Sequence, residues 1–203
     1  MERLSDKYLT FDEESRKLLD PKVAELLLDT FDKVYGGICE FFNHGELREV
    51  VYKVDPEYDG IAAVSGGRVV VNPEWFTKHP WDIDCMTHEL VHVAQNYGRG
   101  SGAPGWIVEG LADYGRAKFG LYNKEEGWSL PKYRDNQSYT NSYRVTAAFF
   151  VWVEETLDAG LPKDLNDTIK AGNYKDNYFA DRTGKTIDEL WTMYANANES
   201  KSE

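Results

Sequence analysis

The stretch that most constrains this chain is Thr87-His88-Glu89-Leu90-Val91-His92, because its polar residues make chemical sense only on a helix. It reads H-E-x-x-H. At about 3.6 residues per turn, His88 and His92 fall on one face, one turn apart. Two imidazoles so placed can reach one metal ion from the same side. Glu89, one position along, is poorly placed to be a third ligand, but its carboxylate can hold a water that the metal binds. Zinc lowers the pKa of such a water to about 7, and a carboxylate beside it can take the proton. Ile83, Met86, Leu90, Val91 and Ala94 supply the apolar side of the helix. Asp82 or Asp84, after Pro80, is expected to cap its start, and Gly98 and Gly100 to end it.

A catalytic zinc needs a third protein ligand. A histidine six residues after His92 would make a metzincin, but that position is Gly98, and Gln95 stands where the same pattern wants glycine. The next helix, opening at Ala103-Pro104-Gly105-Trp106, carries Glu109 and Asp113 four apart on one face. Trp106, Ile107, Leu111 and Tyr114 make that helix largely apolar, and a carboxylate among them wants a cation. Glu109 lies 109 − 92 = 17 residues beyond His92, enough for a loop and a returning helix. We therefore expect Glu109 as third ligand, giving a His-His-Glu site of the thermolysin kind. Asp113 is expected to accept the second ring N–H of a ligand histidine. Asp113 itself, His79 and Asp84 are the competing third ligands.

Four blocks now stand out in order: T-H-E-L-V-H-V-A-Q, A-P-G-W-I-V-E-G-L-A-D-Y, S-Y-R-V-T-A-A-F-F and G-K-T-I-D-E-L-W. Spread from about position 87 to 194, they closely resemble the basic secretory protein family, secreted zinc peptidases of plants and bacteria. The resemblance implies a gluzincin-like zinc metallopeptidase with a zincin-like fold and a peptide or protein substrate. It also implies that an edge strand of the sheet pairs with the extended substrate. The family is named for basic members. Here 23 Lys+Arg face 35 Asp+Glu, a net charge of −12, which repels nucleic-acid phosphates and anionic membranes.

The chain reads as one α+β domain over residues 1–203, with residues 1–20 a peripheral arm holding a short helical piece. A helix is expected from Pro21 to about 42, then a strand at 49–54. Strands at 61–64 and 68–71 flank Ser65-Gly66-Gly67, a hairpin signal. Asn72 to Phe76 reads as a turn, and 99–105 as a flexible loop. Helices are expected at 106–119, 141–157, 162–171 and 186–195. Residues 120–140 read as irregular and long enough to cover the site. The small sheet lies beside the H-E-x-x-H helix, and the C-terminal part is mostly helical.

A peptidase also needs a donor for the oxyanion of its tetrahedral intermediate. Tyr143 is the candidate and Tyr139 the second choice; Trp106 and Tyr139 are candidate substrate contacts. Thr183-Gly184-Lys185-Thr186 reads as a turn and helix cap, and Cys39 and Cys85 as buried free thiols. No apolar run approaches the roughly 20 residues of a membrane span. Met1-Glu2-Arg3-Leu4 lacks the apolar core of a secretory signal. The alternatives are a cytoplasmic protein or one whose signal has been removed, and the resemblance favours a secreted or cell-envelope location. A monomer is expected. Two other readings stay open: a non-catalytic zinc-binding module of the same fold, and a zinc amidase acting on cell-wall or glycoprotein amides.

Overall fold

Residues 3–98 and 101–199 are described by the structure, a computed structural model. They group into two compact units, one formed by residues up to 96 with 115–129, the other by 97–114 with 130 onward. Met1, Glu2, Arg99 and Gly100 lie outside the described residues, and with them the start of the N-terminal tetrapeptide and part of the expected 99–105 loop.

The first unit opens with three short elements, α1 (Leu4–Tyr8), β1 (Leu9–Phe11) and α2 (Glu13–Arg16). The sequence shows only a short helical piece here, because a three-residue strand is too short to display a period. Asp32 ties this segment down by accepting from Ser5 N at 2.7 Å and from the Ser5 hydroxyl at 3.1 Å. Next comes α3 (Pro21–Phe42), started where expected: Asp20 caps it through Lys22 N, and Pro21 occupies the first turn, where no N–H is missed. Its apolar face, from Val23 through Leu27, Phe31 and Ile38 to Phe42, is buried.

The sheet is completed by β2 (Val50–Val54), β3 (Ala62–Ser65) and β4 (Arg68–Val71). Its strand order is β1-β2-β4-β3, parallel except for the antiparallel pair β4–β3. Val50, Tyr52 and Val54 point inward from β2. Gly66 and Gly67 take φ of +57° and +79°, so the hairpin turn has positive φ at both central residues, which glycine alone reaches without strain. Residues 72–76, expected to be a turn, instead begin α4 (Pro73–Lys78), with Asn72 as N-cap accepting from Glu74 N at 2.9 Å. Asn-Pro is a cap followed by a first-turn proline as readily as it is a turn.

After a 3₁₀ turn at Asp82–Asp84 comes α5 (Cys85–Gln95), the H-E-x-x-H helix. It packs on α3 and β3. It stops earlier than the glycines suggest, at Asn96, which adopts the left-handed conformation (φ 42°, ψ 47°) and donates its N–H to His92 O. The helix α6 (Gly105–Phe119) is divided between the two units after Tyr114. Beyond it, α7 (Asn123–Glu126) closes the first unit.

The second unit holds the start of α6, a 3₁₀ turn at Tyr139–Asn141, α8 (Tyr143–Thr156), α9 (Leu161–Lys170), α10 (Tyr178–Thr183) and α11 (Ile187–Glu199). On α8 the buried face takes in Thr146, Ala147, Ala148, Phe149, Phe150 and Val153, while Val145 and Trp152 are only half-buried. Phe149, Trp191 and Tyr194 pack edge to face with Tyr133 and Trp152 around them. At the start of α11, Glu189 accepts from Thr186 N at 2.7 Å and donates its own N–H to the Thr186 hydroxyl, a reciprocal cap that fits the expected one. One short helix, α10, has no counterpart in the sequence reading; it ends on Gly184 at φ 71°.

The stretch 120–140, expected to be irregular, contains α7 and the start of the 3₁₀ turn at Tyr139–Asn141; 120–129 belongs to the first unit and 130–140 to the second. Cys39 and Cys85 are both buried and not joined in a disulfide, and burial pushes the Cys85 thiol up. Among the described residues no helix is long and apolar enough to cross a membrane. Replacing Gly66 or Gly67 by valine should destabilise the chain by about 1–2 kcal/mol each, the cost of a left-handed residue carrying a Cβ. Urea unfolding measures this; a loss-free Gly67→Val variant would contradict the turn geometry.

Candidate metal centre

Ten of the eleven residues of α5 are buried, so its polar side chains must find partners inside the protein. Each does. Thr87 donates its hydroxyl to Asp84 Oδ1 at 2.7 Å, and Asp84 Oδ2 accepts from Tyr122 N at 2.6 Å. Asp82 accepts from Arg116 Nη2 at 2.6 Å and from Trp75 Nε1 at 2.8 Å. Asp84 stands at the N-cap position of α5, as expected, but its side chain bonds no first-turn N–H, being taken up by the Thr87 hydroxyl and the Tyr122 backbone.

His88 and Glu89 keep only 9% and 7% of their surface, and His92 is half-buried. His88 Nε2 and His92 Nε2 stand 3.1 Å apart, with the rings nearly perpendicular at 81°. On the far side of its ring, His92 Nδ1 lies 3.0 Å from Gln95 Oε1. An amide oxygen there accepts the Nδ1 proton and leaves Nε2 with its lone pair turned toward His88. Sequence reasoning gave the ring-holding role to Asp113 and missed Gln95. The signal was present, since Gln95 follows His92 at the i+3 spacing of one helix face.

Ligand atoms of His88, His92 and Glu109 all lie within 4.8 Å of one another, so these three could hold a metal ion. Two of the competing ligands, His79 and Asp84, are engaged elsewhere. His79 stacks on Trp75 at 4.0 Å and places Nδ1 2.7 Å from Glu126 Oε1. Asp84 has the two partners just described. Asp113 is buried one turn beyond Glu109 on α6.

The packing of α6 on α5 depends on Gly115. A Cβ at that position would collide with Val91 Cγ2 and come within 3.1 Å of Phe42 Cε2. The Val91 and Phe42 side chains fill the space there that a side chain of residue 115 would need.

The remaining candidates lie in the second unit. Trp106 and Tyr139 are brought together, with ring centroids 5.0 Å apart. The Tyr139 hydroxyl donates to Asp188 Oδ1 at 2.8 Å; burial and that bond push its pKa up to about 12. Tyr143 is 54% exposed at the start of α8, with φ of +47° after Ser142 at +69°. One phenol escaped the sequence reading. Tyr58, in the loop before β3, donates to Ala62 O at 3.3 Å, and burial followed by the negative charge of Glu89 raises its pKa. A lone tyrosine in Asp-Pro-Glu-Tyr-Asp-Gly has no periodicity to betray it.

A family model described as a peptidase of plants and bacteria matches residues 15–194. Comparison with curated proteins and with solved structures gives no match. A Gly115→Val substitution should cost about 1–3 kcal/mol by overpacking the α5–α6 contact. It should also weaken divalent-metal uptake, because Glu109 rides on the displaced helix; unfolding and metal analysis together test both parts.

Proposed function

The chain belongs to the peptidase family of plants and bacteria, and on that premise we propose that it is a zinc-dependent metallopeptidase. The observation that carries the reading is the convergence of His88, His92 and Glu109. Two nitrogens and one carboxylate oxygen make a donor set that suits zinc. The spacing fits as well. Bonds of about 2.0–2.1 Å at a tetrahedral angle put two ligand nitrogens roughly 3.3 Å apart; those of His88 and His92 are 3.1 Å apart. When bound, zinc supplies Lewis acidity and a water of lowered pKa.

The chain's own residues do the rest. Glu89 follows His88 directly, is buried and is not one of the three grouped ligands, which suits a carboxylate that holds the water rather than the metal. It takes a proton from the attacking water and passes it to the leaving amine. Gln95 holds the His92 ring, and Asp113 is assigned the same duty toward a ligand imidazole. Tyr143 is assigned the oxyanion donor. Its exposure and the left-handed backbone at Ser142-Tyr143 support this, since strain of that kind gathers at functional sites. Tyr139 is the weaker choice, its hydroxyl being committed to Asp188.

The substrate chain adds to β3. That strand ends the sheet, pairs antiparallel with β4 and packs on α5, so a peptide laid along it runs past the H-E-x-x-H helix. Trp106 and Tyr139 offer aromatic surface to substrate side chains. A secreted or cell-envelope location belongs to the same proposal.

Glu89→Gln should keep stoichiometric zinc and lower kcat about 10²–10⁴-fold, the range for removing a general base. Peptide-library digestion beside metal analysis measures this, and unchanged hydrolysis would refute the assigned role. Removing zinc with a chelator should abolish cleavage and adding zinc restore it, while His88→Ala should bind no zinc. Tyr143→Phe should lower kcat by roughly 10²-fold with KM little changed, as for a lost oxyanion donor. A normal Tyr143→Phe enzyme would transfer attention to Tyr58.

A further inference from the structure

We propose that Arg116 is a positioning residue for the metal centre: its ion pair with Asp82 fixes the rotation and register of α6 so that Glu109 meets the two histidines. The inference rests on the zinc reading above.

Glu109, Asp113 and Arg116 recur at i, i+4 and i+7, so they share one face of α6. What Arg116 grips therefore decides where Glu109 points. A helix turned by one residue rotates about 100°, and one slid by a residue moves about 1.5 Å. Either displacement is enough to take a carboxylate out of bonding range.

The grip is specific. Arg116 and Asp82 side chains are only 6% and 7% exposed. The Arg116 Nη2 donates to Asp82 Oδ1 at 2.6 Å, its Nε donates to Asn123 Oδ1 at 3.0 Å, and its guanidinium lies 4.4 Å from the Trp128 ring. The carboxylate is fixed from the other side by Trp75 Nε1 at 2.8 Å. Asp82 stands in the 3₁₀ turn that runs directly into α5, three residues before Cys85. The pair thus joins the helix bearing Glu109 to the root of the helix bearing His88 and His92.

Stability is a poor explanation for this pair. Burial pushes the Asp82 carboxyl above its usual range, and Arg116 and Trp75 only partly offset that. Buried ion pairs often lose to apolar replacements in stability, and setting a register is their best-attested use. The neighbouring Gly115–Val91 contact is apolar and has no direction of its own. It brings the helices close, and the ion pair chooses the angle.

The test is a cycle read with zinc alone, as affinity by competition with a chromogenic chelator. The four proteins are the unmodified chain, Glu109→Gln, Asp82→Asn/Arg116→Met, and the three changes combined. Arg116→Met removes the charge at similar length, and Asp82→Asn keeps an oxygen for Trp75 while removing the charge left behind. Glu109→Gln should weaken zinc at least tenfold in the unmodified chain and hardly at all in the pair-deleted one, because Glu109 no longer meets the metal there. Losses that simply add would overturn the inference while leaving the zinc site standing. Should the pair-deleted protein not fold, Arg116→Lys takes its place. It keeps the charge but loses the rigid fork, and should weaken zinc severalfold with an unchanged unfolding midpoint. A lysine variant with full affinity would overturn the inference. An unmodified chain that binds no zinc would instead remove the reading on which it rests.

Discussion

Everything in the first unit is arranged around two imidazole nitrogens aimed at each other from one buried helix. Lone pairs facing at 3.1 Å repel unless a proton or a cation stands between them. The fold supports that arrangement at each end of α5. Gln95 holds the His92 ring from behind, while Asp84 binds both Thr87 and the Tyr122 backbone at the beginning of the helix. A buried polar group left unmatched costs about 1–3 kcal/mol. These bonds are therefore a condition for burying the helix as well as a means of aiming it.

Burial of α5 in turn dictates its neighbours. Its packing against α3 and β3 leaves α6 to approach by close contact, which is what Gly115 allows. Close contact and ion pairing divide the work there. The glycine sets a distance, and the Arg116–Asp82 pair sets an orientation that a smooth apolar seam could not specify. In the proposed metal centre, binding would couple to this directly, because a site assembled from two helices forms only when both are in place.

Much of this was legible in the sequence, and the reasons differ by element. The long helices α3, α5, α6 and α8 and the 65–67 hairpin carry either sustained periodicity or turn residues with a single conformational use. The His-His-Glu group was legible because ligand chemistry limits where a third donor can stand, and Glu109 is in the group. What escaped was short or tertiary. A three-residue strand such as β1, or the six residues of α4 or α10, lacks the length to establish a period. Asp82 and Asp84 resembled caps because local sequence cannot reveal a partner 34 or 38 residues away. Tyr58 touches β3 and feels Glu89 only once the chain has folded.

The edge of the sheet limits how a substrate could be held. Exposed edges invite unwanted pairing, and proteins blunt them by keeping edge strands short. Here β1 has three residues and β3 four. Four residues offer an incoming peptide only a few main-chain hydrogen bonds, each worth about 0.5–1.5 kcal/mol net. Such a ladder can align a substrate but cannot by itself bind it tightly. Along β3 the side chains alternate between half-buried and exposed, so alternate substrate residues would face opposite ways. In the proposed peptidase, main-chain pairing thus sets direction and registry. The remaining affinity and the discrimination between sequences then fall to side-chain contacts beyond the strand and to the reacting carbonyl at the metal centre. An enzyme built in this way would accept many extended chains and few folded ones, because only an unpaired segment can supply the missing strand.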